Sequence, residues 1–301
     1  MRFTIFQDSR IGRRKVNQDR GAYSYSRDVL LLVLADGMGG HARGELAAEI
    51  AVNTINNRFQ TEARTALRRP REFIEGAIHA AHRAIVAYAD QNNMLECPRT
   101  TVVVCVVQSG RAVWGHVGDS RLYCFRGGQL ATSTADHSRV QQLIDAGIIT
   151  RAQAAVHPDR NKIYNCLGGV TPPTVTLSEE WPLAIGDSLW LSTDGFWAQF
   201  DAHRLAQLAA GETIVDLVPR LMLEAERKAG ADADNLTVVA VTWEEQESRE
   251  PSATVTVTEP LEGFTSSMNT TPKLVVADEI SEDEIDQAIN EIQNAIRKVS
   301  R

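Results

Sequence analysis

The stretch GRAVWGHVGDSRLYCFRGGQL, residues 110–130, holds two short apolar segments, Ala112–Val117 and Arg121–Phe125, separated by a Gly-Asp turn at 118–119 and closed by Gly127 and Gly128. Segments this close together, with glycine between them, pair as antiparallel strands, because a parallel pair needs a crossover of a dozen or more residues. Just upstream, TVVVCVV at 101–107 is apolar on successive residues, the mark of a strand covered on both faces. Working outward, strand-sized runs follow at Thr100–Val107, Val29–Ala35, Ser188–Ser192 and Leu236–Thr242. Helical patterns lie between them: Gly44–Phe59, rich in Ala and Ile, and Arg71–Asp90, which sets Phe73, Ile74, Ala77, Ile78, Ala81, Ile85 and Tyr88 along one face. Two more, Ala202–Ala210 and Thr213–Gly230, precede the last strand. Hairpin strands with helices inserted elsewhere fit a β-sandwich with helices outside it, and fit other α+β layerings as well.

The 301-residue chain is 43% hydrophobic, ample for a packed core, and has no run near the roughly 20 apolar residues of a membrane span. Its N-terminus, MRFTIFQDSR, turns polar too soon for a signal peptide. Cys97, Cys105, Cys124 and Cys166 show neither paired nor metal-type spacing, which points to a reducing cytoplasm. The formal net charge of −8 sits entirely in the tail: from Glu244 onward there are 13 acidic and 5 basic residues, and residues 1–243 balance. A neutral body with an acidic tail gives no electrostatic argument for binding nucleic acid.

The composition shifts at Glu244. Residues 244–280 are polar, contain Pro251, Pro260 and Pro272, and read as an acidic flexible linker. Residues 281–301 read as a C-terminal amphipathic helix, with a capping-box pair at Ser281 and Glu284 and a seam of Ile285, Ile289, Ile292, Ile296 and Val299. Such a seam needs a surface to cover it, supplied by a partner, by a second copy or by the chain's own domain; the acidic polar face argues against a membrane.

Four carboxylates stand at strand ends: Asp36 in LLVLADGMGG, Asp119 in HVGDSRLY, Asp194 in LWLSTDGFW and Asp234 in ADADNLTVVAV. An Asp-Gly after a strand is ordinarily just a turn. Four of them gathered at one sheet edge would repel unless cations neutralised them. Hard divalent ions suit oxygen ligands of this kind, and Mg²⁺ or Mn²⁺ needs only a few carboxylates. The seven histidines form no zinc-type motif.

The ordered series RKVNQD, ADGMGGHARGE, GHVGDSR, ADHSRVQQLIDAGIIT, HPDRNKIYNCLGG, LSTDG and DNLTVVAV resembles the bacterial type 2C, metal-dependent serine/threonine protein phosphatases. The resemblance covers residues 1–243. It implies a catalytic domain there, with a central antiparallel β-sandwich flanked by α-helices in four αββα layers. It implies two Mn²⁺ or Mg²⁺ ions, with a weaker third, and hydrolysis of phosphoserine and phosphothreonine in proteins by a metal-activated water, opposing a bacterial serine/threonine kinase. Residue by residue, it makes Asp36 the carboxylate shared by two ions, Gly37 a carbonyl donor, Asp194 and Asp234 ligands of the first ion, and Asp119 with Asp194 the third site. Arg14 matches the grip on substrate phosphate, Asp19 the acid behind the ions, and 137–168 the flap beside the cleft. Three positions depart from relatives: Gln18 replaces a glutamate, Met38 follows Asp-Gly where animal relatives have histidine, and Ala198 replaces a third-site aspartate. His41 reads as a capping or supporting residue rather than an acid. Of the four cysteines only Cys105 has an arginine six residues on, Arg111, and it sits inside the apolar run TVVVCVV, where a thiol behaves as a small hydrophobe rather than a nucleophile. Two other readings are a catalytically silent phosphatase fold that binds phosphoproteins and a metal-dependent nuclease. The intact acidic set argues against the first, and the lack of a basic groove against the second.

Overall fold

In the computed structural model the described residues are 1–39, 43–63, 65–245 and 255–258. The elements are β1 (Arg2–Arg10), β2 (Asp19–Tyr25), β3 (Val29–Met38), α1 (Gly44–Glu62), α2 (Pro70–Gln91), β4 (Arg99–Thr100), β5 (Val102–Gln108), β6 (Arg111–Val117), β7 (Arg121–Arg126) and β8 (Gln129–Ser133). After these come α3 (Arg139–Asp145), α4 (Arg151–Ala155), β9 (Thr176–Leu177), β10 (Trp181–Pro182), β11 (Ser188–Ser192), α5 (Asp194–Trp197), α6 (Ala202–Gly211), α7 (Ile214–Ala229), β12 (Leu236–Glu245) and β13 (Val255–Thr258). One sheet has the order β1-β12-β11-β7-β8; the other runs β10-β6-β5-β3-β2-β13, with β4 on β3 and β9 on β6.

The run of successive apolar residues in β3 explains the layering. Successive side chains of a strand point to opposite faces. Leu30, Leu32 and Leu34 therefore enter the core between the sheets with Val103, Cys105, Leu122, Leu189 and Val239. Leu31, Val33 and Ala35 enter a second core under α1 and α2, with Ile55, Phe59, Ile74 and Ile78. A third core lies between β7, β11 and β12 and the helices α6 and α7, built on Trp190, Phe196, Leu217, Leu221 and Val238. Helix, sheet, sheet and helix stack as four layers, as expected. All pairings between named strands are antiparallel.

The structure adds strands that the apolar runs do not announce: β1, β2, β8 and β13, with the two-residue strands β9 and β10. β13 falls within 244–280, the segment read as an acidic flexible linker. Within it Val255–Thr258 pairs antiparallel with β2, Val255 opposite Tyr25 and Val257 opposite Tyr23. The predicted helix over 281–299 lies outside the described residues. No helix among the described residues is long and apolar enough to cross a membrane.

Because β3 is covered on both faces, Leu31→Ala and Leu32→Ala should each destabilise the protein by about 2–5 kcal/mol, measured by urea denaturation. A loss below about 1 kcal/mol at either position, the range of a surface substitution, would contradict burial on that face.

Candidate metal centre

In an antiparallel sandwich, alternate strand ends fall at one edge, and the acidic motifs occupy such ends. Asp19 opens β2 and stands directly opposite Asp36 on β3. Asp119 lies in the turn from β6 to β7, Asp194 starts α5 just after β11, and Asp234 lies just before β12. Register keeps these ends level: Ser192 pairs with both Arg121 and Val238.

Asp19 is buried, with 2% exposure. Its Oδ2 accepts hydrogen bonds from Thr193 Oγ1 at 2.8 Å and Thr237 Oγ1 at 2.9 Å. Burial pushes its carboxyl up to about 7, against the pull of the two threonines, with Asp194 and Asp234 adding repulsion. Asp36 is raised well above the usual carboxylate range, first by burial, then by Asp19, Asp194, Asp119 and Asp234. Asp119 is pushed up to about 7 by burial and then by Asp194. Asp194 rises to about 6 through burial and Asp234, held back by the Gly195 N–H and Arg14. All five carboxylates thus interact in one electrostatic cluster.

Asp234 is differently placed. Arg14 forks onto it, Nε to Oδ1 at 2.7 Å and Nη2 to Oδ2 at 2.6 Å. Asn235 anchors the loop that carries Arg14, donating from Nδ2 to the carbonyls of Ile11 and Val16 at 2.9 and 3.1 Å and accepting the Gln18 N–H at 2.8 Å. The Gln18 side-chain amide donates to Glu45 at 3.3 Å.

Gly37 has a steric reason to be glycine. A Cβ there would lie 2.2 Å from the Gly44 carbonyl oxygen and 2.6 Å from that of Gln18. The end of β3 and the start of α1 meet backbone to backbone. The Asp36 main chain is fixed by Thr100 and Thr101: its N–H donates to Thr101 Oγ1 at 3.1 Å, and its carbonyl accepts from Thr100 Oγ1 at 2.8 Å and the Thr101 N–H at 2.9 Å. The 137–168 segment carries α3 and α4 and is rooted at the same edge: His137 N–H donates to the Gly118 carbonyl at 2.9 Å, and Leu167 N–H to that of Thr100 at 2.9 Å.

The residues expected at the site, Asp19, Asp36, Gly37, Asp119, Asp194, Asp234, Arg14 and Gln18, are brought to one edge. Met38 and Ala198 lie beside them, and His41 lies outside the described residues. Sequence reasoning missed Thr101, Thr193, Thr237 and Asn235. Thr193, Asn235 and Thr237 had one signal, a position beside an acidic motif; Thr101, in an apolar run far from any such motif, had none. Among the described residues no three acidic, His or Cys side chains already form a closed ligand set. The donors nonetheless fit hard divalent cations: they are carboxylate oxygens, mutually repelling, with too little positive charge near them.

The protein phosphatase 2C family matches residues 6–232. The chain belongs to that family. A putative protein phosphatase 2C-type of Streptococcus pyogenes is 29% identical over 230 residues, 76% of this chain and 92% of the relative. PstP of Mycobacterium tuberculosis is 32% identical over 226 residues, which are 75% of this chain and 42% of that longer protein. Among solved structures, serine/threonine phosphatase Stp1 from Staphylococcus aureus has a TM-score of 0.74 at 29% identity, covering 81% of this chain and 96% of its own. A PstP catalytic domain in complex with two manganese ions has a TM-score of 0.65 at 28% identity, covering 81% of this chain and 99% of its own.

The raised carboxylates make a pH prediction. An unfolded aspartate titrates near about 3.9, whereas Asp19 and Asp119 titrate at about 7 and Asp194 at about 6 in the fold. Folding takes up protons in that window, so in chelator this contribution to stability is complete at low pH and is lost as pH rises toward 7. Thermal unfolding in EDTA should give a higher midpoint at pH 5 than at pH 7.5, and saturating Mn²⁺ should remove the deficit at pH 7.5. His116 and His137, both lowered by burial, work the other way at acid pH, so the contrast is read as the difference between EDTA and Mn²⁺: a pH dependence of the midpoint that saturating Mn²⁺ leaves unaltered would show that the cluster is not mutually repelling.

Proposed function

We propose that this phosphatase hydrolyses phosphoserine and phosphothreonine in proteins and opposes a serine/threonine kinase in the cytoplasm, using Mn²⁺ or Mg²⁺. The observation that carries this reading is the convergence of Asp36 with Asp19, Asp119, Asp194 and Asp234 at one sheet edge, with Arg14 at its rim. Asp36, Asp194 and Asp234 would hold two ions with the Gly37 carbonyl, and Asp119 with Asp194 a weaker third. Bound ions supply charge neutralisation for the phosphate dianion and acidify a water for attack on phosphorus.

The chain's own residues do the rest. Arg14 carries a planar fork suited to two phosphate oxygens. It is 59% exposed, so it can turn from Asp234 to substrate. Thr193 and Thr237 hold Asp19, the residue opposite Asp36 in the β2–β3 pair. Gln18 brings no charge, and Met38 brings no proton for the leaving oxygen.

Phosphate release from a phosphothreonine peptide should require Mn²⁺ or Mg²⁺ and stop in excess chelator. Activity that persists in chelator, with bound metal excluded by elemental analysis, would end the two-ion reading. Asp36→Asn and Asp234→Asn should each cost more than the roughly 10–100-fold that loss of an outer partner costs a metal site. Near-normal turnover at saturating metal would show that residue is no ligand.

Arg14→Ala separates two roles. It should raise KM for the phosphopeptide while Mn²⁺ affinity stays equal or tightens, because Asp234 loses a competing cation. Arg14→Lys should restore little of the KM, since the fork is gone. Full rescue by lysine, or weakened Mn²⁺ binding in Arg14→Ala, would contradict this.

A further inference from the structure

Trp197 ends the helix that Asp194 begins, and its indole reaches back across the site. Nε1–H donates to the main-chain carbonyl of Asp119 at 3.0 Å. The Arg121 guanidinium lies over the indole face, 3.4 Å from the ring centroid. Arg121 is itself fixed: Nε and Nη2 fork onto Asp136 at 2.8 Å each, and Nη1 donates to Tyr123 Oη at 3.1 Å. Asp136 is buried. The indole is therefore held between a backbone acceptor and a clamped cation.

The opposite side of the Asp119 turn is fixed as well. Gly118 has φ +103°, and a Cβ there would lie 2.6 Å from Thr101 Cβ. The hydroxyls of Ser120 and Thr101 share a hydrogen bond of 2.7 Å. Thr101 also holds the Asp36 main chain. The Asp119 turn is thus tied to Asp36 on one side through Thr101, and to Asp194 on the other through Trp197. Ala198, the next residue, is exposed and carries no ligand atom on its side chain.

We propose that Trp197 is a positioning residue: by holding the Asp119 carbonyl from the Asp194 helix, under the clamp of Arg121, it sets the spacing of the Asp119 and Asp194 carboxylates and so the affinity of the weakest-held ion. With Ala198 in place of a further carboxylate, that ion depends on only two acidic side chains, and their spacing matters more. The proposal rests on Asp119 and Asp194 being ion ligands.

The test is a Mn²⁺ titration of the full chain, with free Mn²⁺ read by electron paramagnetic resonance, beside thermal unfolding. Asp119→Ala should abolish the weakest binding step. Trp197→Phe keeps a six-membered aromatic ring for Arg121 and loses the pyrrole half with its N–H; it should weaken that step about fivefold, the worth of one hydrogen bond, leave the tighter steps unchanged, and lower the unfolding midpoint by no more than about 2–4 °C. Arg121→Lys, which removes the planar clamp, should weaken the same step. If Asp119→Ala loses the step and Trp197→Phe does not, the inference is wrong and the ligand reading stands. If Asp119→Ala keeps every step, the ligand reading of Asp119 itself fails. A Trp197→Phe variant that weakens all steps together with its unfolding midpoint would make the tryptophan a general structural residue and overturn the proposal. Should Trp197→Phe not fold, Arg121→Lys decides, an unchanged weakest step counting against it.

Discussion

Asp19 and Asp36 face each other across the β2–β3 pair, two acids of like charge held together in a buried setting. Burial and mutual repulsion both oppose their ionisation. Neither acid attracts the other, so the pairing of β2 with β3 and the sandwich around it must hold them together. The edge is organised around that demand. Asp19 belongs to one sheet, while the hydroxyls of Thr193 and Thr237 reach it from the other, both onto the same oxygen. The contact that eases a buried acid also closes the two sheets at the site. A protonated pair favours the bare fold; an ionised pair favours cations. These preferences conflict, and the conflict leaves the site ready to take up positive charge.

The conflict is tolerable because the sheets are held elsewhere. Three apolar layers fix the strands along their length, so their ends can carry unfavourable charge without moving apart. Close packing transmits small displacements rather than absorbing them. That is why the backbone contact between Gly37 and Gly44 matters to a carboxylate one residue away. An added methyl there would push α1 from β3 and shift Asp36 with it. The site is rigid through the cores beneath it, and its ligands are supported through main-chain contacts as much as through side chains.

What could be read in the sequence follows from how each element is buried. Strands covered on both faces, such as β3 and β5, are apolar at every position and stood out. β1 and β2 mix Arg, Asp, Ser and Gly with apolar residues, because they lie toward sheet margins, and their pattern fell below notice. β13 did carry a signal: Val-Thr-Val-Thr at 255–258 alternates as a half-covered strand should, but nearby Pro251 and Pro260 made the segment read as linker. The carboxylates were legible because each follows or precedes an apolar run. Thr193, Thr237, Asn235 and Trp197 were not, since each acts on a residue distant in sequence. Thr237 and Asp19 are 218 positions apart, and only strand order brings them together.

Arg14 shows why exposure is as informative as contact. Its fork on Asp234 has short distances, yet the two side chains are 59% and 38% exposed. An ion pair this open to water contributes about 0–1 kcal/mol, so opening it costs little. A buried pair of the same geometry would resist, because separating it strands an uncompensated charge. The pair therefore supplies charge to Asp234 without committing to it. Both groups can exchange partners as a cation meets the carboxylate and a phosphate meets the guanidinium. The deep acids, Asp19 and Asp36, have no such freedom. The site divides its work by depth: fixed, repelling charge within, and an exchangeable pair at the rim where substrate arrives.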